Sequence, residues 1–74
     1  MTDQSHAVFH ILGPKENPTA EDYELEAALL GAEGHGLYRK HMIVYSGRMY
    51  ELARRYRRIG RMKRWGERWS NTMN

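Results

Sequence analysis

Cysteine is absent from these 74 residues, and with it any disulfide. A structural zinc site would then need an unusual set of histidines. Long apolar runs are missing too. Stretches such as Ala27-Ala28-Leu29-Leu30 fall far short of the roughly 20 residues that span a bilayer. The stretch Met1-Thr2-Asp3-Gln4-Ser5-His6 lacks the basic start and apolar centre of a secretion signal. These absences point to a soluble, cytoplasmic protein. A chain this short supports one domain, with a marginal core. Small folds without disulfides usually lean on a metal or a partner.

Signatures of catalysis are lacking as well. Ser5, Ser46 and Ser70 sit in no nucleophile-elbow pattern, and no carboxylate–histidine pair stands out. Gly31, Gly34 and Gly36 precede no Gly-Lys-Ser/Thr, so they form no phosphate-binding loop. His6 and His10 on one strand lie about 13 Å apart, too far to share a metal ion. His35 and His41 flank a glycine-bearing stretch. No catalytic residue, metal or cofactor is expected. A zinc-dependent or hydrolytic microenzyme is the enzymatic alternative, and metal analysis of the purified protein tests its zinc form.

What is present is a charge split. Residues 1–36 carry seven acids and only Lys15 as a base, a net charge of −6. Residues 37–74 carry eleven bases and only Glu51 and Glu67 as acids, a net charge of +9. Eight of the twelve bases fall between Arg54 and Arg68. Such asymmetry suits nucleic acid, an anionic membrane surface or an acidic protein groove.

The run His6–Leu12 (HAVFHIL) reads as a strand closed by Gly13-Pro14. Thr19, with Asp22 three residues on, reads as a capping box opening a helix from Ala20 to Leu30, with Gly31 as its stop. That helix is apolar on two sides, as if it packs on two things. Met42-Ile43-Val44-Tyr45 reads as the end of a second strand over 40–45. Ser46-Gly47 then turns the chain, and a hairpin returning over 48–52 is an alternative to a helix there. The helix has the better periodicity. Met49, Leu52, Ala53, Tyr56 and Ile59 fall in a sector of about 120°, with Arg54, Arg57, Arg58 and Arg61 opposite. Past Gly60 the pattern breaks. Either the helix ends there, or a longer helix presents a second apolar face, and Trp65 and Trp69 have no place in the core.

The expected fold is α+β, a small single domain ordered strand–helix–strand–helix with a basic C-terminal helix or tail. Residues 1–59 form its compact part, and residues 60–74 a basic, tryptophan-containing, partly disordered arm. Parallel strands would be joined by a right-handed crossover, and an open sheet edge is free to take a partner's strand.

Arginine binds phosphate and carboxylate in bidentate fashion and stacks on planar rings. Arg54, Arg55, Arg57, Arg58, Arg61, Lys63, Arg64 and Arg68 are the candidate nucleic-acid contacts. Val8, His10, Leu12, Leu25, Leu29, Trp65 and Trp69 are the candidate protein contacts. A membrane-surface helix would want a cleaner apolar face than residues 60–69 supply. The acidic half repels phosphate, which favours a bipolar molecule docked on a protein partner with its basic arm near DNA or RNA.

With its short cysteine-free chain, strand-led start (HAVFHIL) and Arg/Trp-rich end (RRYRRIGRMKRW), the sequence resembles the small phage-encoded regulators that bind host RNA polymerase. The resemblance implies a non-enzymatic regulator in the host cytoplasm, monomeric outside its complex. It would block promoter-dependent initiation and suppress termination near the RNA exit path. The same habit fits other phage inhibitors, including anti-CRISPR proteins. An autonomous DNA- or RNA-binding module with the second helix in a groove is the alternative.

Overall fold

The computed structural model describes residues 6–73, with side chains through Trp69. Two strands precede two helices: β1 (His6–Phe9), β2 (Gly13–Glu16), α1 (Ala20–Arg39) and α2 (Ile43–Met73). The class is α+β, as expected. The order is strand–strand–helix–helix, which corrects the alternating one.

The strand expected over His6–Leu12 is a hairpin instead. β1 pairs antiparallel with β2, His6 opposite Glu16 and Phe9 opposite Gly13. No parallel crossover is needed. Gly13 begins the return strand rather than ending the first, and its φ of 85° is open to glycine at no steric cost. A loop this tight leaves backbone donors unpaired. The fully buried Glu26 of α1 takes two of them, its carboxylate accepting from the N–H of Ile11 at 2.8 Å and of Leu12 at 3.0 Å. Phe9 then seats on both helices, its ring 4.9 Å from that of Tyr23 and 5.6 Å from that of Tyr56.

The capping box holds. Thr19 Oγ1 accepts from the Asp22 N–H, and Asp22 Oδ2 accepts from the Thr19 N–H at 2.9 Å. The helix does not stop at Gly31; it runs through Gly31, Gly34 and Gly36 to Arg39. It ends where His41 adopts φ 64°, with the Met42 N–H donating to the Leu37 carbonyl and the His41 N–H to that of Tyr38, both at 2.9 Å. This is a Schellman closure, with histidine in the left-handed place that glycine usually takes. The expected strand over 40–45 is therefore this turn and the start of α2. The alternative hairpin over Ser46-Gly47 gives way to the same helix. β-Propensity is largely a measure of packing context, and here Ile43, Val44 and Tyr45 lie exposed on a helix.

The two helices are held by a seam of small residues. On α1, Ala20, Ala27 and Gly34 recur every seventh residue and are buried. On α2, Ser46, Ala53 and Gly60 recur likewise and are buried. At one end, a Cβ on Gly34 would lie 3.2 Å from the Met49 Cβ and 3.3 Å from the Ser46 carbonyl oxygen. There Ser46 Oγ donates to the Gly34 carbonyl at 2.8 Å. At the other end, a Cβ on Gly60 would lie 3.1 Å from the Tyr23 Cβ and 3.4 Å from the Ala20 carbonyl oxygen. This antiparallel register sets Ala27 across from Ala53. The close approach explains why α2 passes through Gly60 unbroken: the glycine is a contact, not a terminator. The helix follows the longer of the two sequence alternatives, and residues 60–73 continue it.

Two outcomes test this account. Gly60→Leu overpacks the seam and destabilises by about 1–3 kcal/mol. Gly66→Ala, with nothing near its added Cβ, stabilises by up to about 1 kcal/mol through helix propensity. Denaturant midpoints by circular dichroism distinguish them, and equal effects would refute the seam. Glu26→Ala strands two loop donors and costs about 1–3 kcal/mol, read in the same titration together with loss of amide-exchange protection at Ile11 and Leu12.

Candidate nucleic-acid interface

The seven-residue phase of the seam carries over to the charged side of α2. Arg54, Arg61 and Arg68 follow Ala53, Gly60 and Glu67 directly, and Arg57 and Arg64 fall between them. Residues alternating three and four apart keep to one line on a helix. Five arginines thus form a row beside the seam, about 21 Å long at the helical rise. Arg58 and Trp65, also seven apart, make the adjoining column, with Trp69 one turn beyond Trp65.

The row is exposed along its length, and Trp65 and Trp69 are 60% and 58% exposed. Arg61, Arg64, Trp65 and Arg68 line a shallow cleft of about 110 Å³. The Arg68 guanidinium lies 6.0 Å from the Trp65 ring centre, within cation–π range. Arg55 and Lys63 do not join this surface; helix geometry puts them about 140° to either side of the row.

Only part of the row is matched from within. Arg64 grips Glu24 of α1 with two bonds, Nε to Oε2 at 2.8 Å and Nη2 to Oε1 at 2.7 Å. That guanidinium holds the Glu24 carboxyl below its ordinary range, and Glu21 and Glu67 add to the field at Arg64. Seven residues back along α2 and seven forward along α1, the same register sets Arg57 across from Gly31, which offers no side chain. Among the described residues, Arg54, Arg55, Arg57, Arg58 and Arg61 form no ion pair.

Glu67 takes the next seventh place after Gly60, level with the start of α1, whose first N–H groups stand open. Its Oε2 accepts from the Ala20 N–H at 3.0 Å, which ties the far part of α2 to the start of α1. Neither Glu24 nor Glu67 stood out in the sequence. The seven-residue spacing that places Glu67 was legible there; the pairing of Glu24 depends on register.

The candidate protein contacts divide between two places. Val8, His10 and Leu25 are exposed on the hairpin and the outer side of α1, with Leu12 and Leu29 half-buried. Trp65 and Trp69 belong to the ridge. A surface that sequence reasoning missed lies at the turn between the helices. Tyr38, Met42, Ile43, Val44 and Tyr45 are all exposed there, with Arg39, Lys40 and Arg48 nearby in the chain and no acid between Glu33 and Glu51. Met42 through Tyr45 read as a strand by residue type, which hides this surface in the sequence.

Among the described residues, no three potential metal ligands come together, and no helix is long and apolar enough to cross a membrane. No family model, curated protein or solved structure matches the chain.

The carboxylates make stability depend on acid. Thr19 backbone and hydroxyl bonds hold Asp22 below its ordinary range, as Arg64 does Glu24. A depressed folded-state pKa contributes stability that is complete above the unfolded-chain value and lost as pH falls through the folded one. Stability should therefore drop as pH falls through the carboxylate range, with little change from there to neutrality. The double variant Asp22→Asn, Glu24→Gln flattens that slope in denaturation measured across pH.

Proposed function

We propose that this protein is a non-enzymatic regulator that docks on a nucleic-acid machine, RNA polymerase being the target, and lays its arginine row against the nucleic acid. The observation that carries the reading is the row itself. Five arginines are held in line by the seam, and Arg54, Arg57 and Arg61 lack an internal carboxylate partner among the described residues. Arginine in such a row is suited to phosphate. The choice of polymerase, with inhibition of initiation and an effect on termination, is supported by the resemblance of the chain to small phage regulators. A cytoplasmic location goes with it.

Docking on the protein component falls to the exposed apolar turn at the other end of α2, Tyr38 and Met42 through Tyr45, or to the hairpin and outer α1. Contact surfaces at both ends of one stiff helix suit a molecule that bridges protein and nucleic acid.

The test is capture of core RNA polymerase by the tagged protein, with and without nuclease. Retention after nuclease, lost on Val44→Asp or Val8→Asp, is the expected result. Absence of polymerase under both conditions refutes this target. Loss of the complex on nuclease treatment leaves an autonomous DNA- or RNA-binding protein. Gly31→Glu probes the row without removing an arginine. It supplies Arg57 with the partner Arg64 already has, and should lower affinity for nucleic acid while leaving the fold at least as stable. Unchanged affinity would separate the row from nucleic acid.

A further inference from the structure

The arginine row is narrow, and its surroundings differ along its edges. On the α1 side, near Arg64, stand Glu21 and Glu24. On the other side stand Arg58, Trp65 and Trp69, the two indoles exposed one helical turn apart. A duplex laid on this ridge would bring phosphates of a second strand over the acids, or set its charged backbone against the exposed indoles. A single strand meets neither problem. Its one backbone follows the guanidinium line, and its unpaired bases have flat faces for aromatic rings.

We infer that the distal half of α2 binds single-stranded nucleic acid, with phosphates on Arg54, Arg57 and Arg61 and a base stacked on Trp65. This rests on the reading of the row as a nucleic-acid contact and narrows it to one form of ligand. The cleft bounded by Arg61, Arg64, Trp65 and Arg68 is the seat of the stacked base. It is a shallow depression of about 110 Å³, beside an indole on which a planar ring can stack. Base–aromatic stacking accepts any base, so the site reads strandedness and not sequence. The row spans about 21 Å, several nucleotides of an extended strand. In a nucleic-acid machine, the ligand is then an opened template, a displaced strand or an emerging transcript.

The protein carries its own probe, because its two tryptophans are Trp65 and Trp69, both at this site. The experiment titrates the full chain with a fifteen-nucleotide oligo-dT, with a duplex of equal length and with poly-glutamate, following tryptophan emission and probe anisotropy. Trp69→Phe isolates the Trp65 signal. Oligo-dT should quench Trp65 and bind at least ten-fold more tightly than the duplex. The slope of log affinity on log salt should be about −2 to −3, from roughly −0.7 for each of three or four phosphates. Trp65→Ala should weaken oligo-dT binding by roughly ten-fold or more, with Trp65→Phe recovering most of it and circular dichroism unchanged. Duplex binding equal to that of oligo-dT, or Trp65→Ala binding like the parent, overturns the inference and leaves the broader reading standing. Failure of both nucleic acids to bind at low salt overturns the two together, as does poly-glutamate binding as tightly as oligo-dT.

Discussion

Everything distinctive in this molecule is set by how closely two helices approach. A chain with few large buried residues (Phe9 and Leu30 are the apolar ones) cannot rely on filling a wide interior. It brings backbones together instead, with alanine, serine and glycine at the crossing places, so that attraction comes from many short-range contacts between main chains. Such a seam tolerates little. The same small residues that make it possible would leave voids if the helices drifted apart and clashes if side chains were added. Phe9, Tyr23 and Tyr56 then close one flank, their rings 4.9 to 6.2 Å apart. Burial, aided by the nearby Glu26 and Tyr23, raises the Tyr56 phenol above its ordinary range.

The charge split takes on a definite form in this frame. The two halves of the chain fold against each other, so the acidic helix runs beside the basic one. Their neutralisation is local. Glu24 meets Arg64, Lys15 meets Asp22 at 3.5 Å, and Glu67 turns to the open start of α1. Farther along, α1 presents Ala28 and Gly31 where a carboxylate would have to stand to reach Arg57. Both oppositely charged pairs are partly exposed and contribute modestly to stability. Their larger effect is on which guanidinium groups stay available.

Sequence patterns revealed the pieces that depend on near neighbours. Thr19 and Asp22 were legible as a cap because the box is local chemistry. The inward side of residues 49–59 was legible because helical periodicity is. What escaped were features whose meaning lies across the molecule. Gly31 read as a stop because glycine weakens an isolated helix, yet the helix runs through it to Gly34, where the second helix touches. Gly60 left open whether the helix ends or continues, and it is the matching contact. Gly13 read as the end of a strand and proved the hinge into its partner, since the buried carboxylate that tames the loop comes from Glu26, well along the chain. Met42 through Tyr45 read as a strand on side-chain type alone. The α+β class came out right, with its elements in another order. In the candidate site, the arginines and the exposure of Trp65 and Trp69 were foreseeable; the alignment of the arginines, with Arg55 and Lys63 to either side, follows from helical periodicity once the helix continues past Gly60.

A single repeat therefore serves two surfaces. The positions seven apart that pack the helices also fix the azimuth of the residues immediately after them, and those are Arg54, Arg61 and Arg68. The packed positions and the arginine row share one phase, so neither can be shifted along α2 without rotating the other. Where the seam runs out, the repeat changes character: its fourth member is Glu67, a polar group facing polar helix ends. Around that point, among the described residues, the outer side of the helix is uncovered, and Trp65 and Trp69 are exposed. Exposed aromatic surface at the end of an otherwise closely packed helix is where such a molecule can contact another.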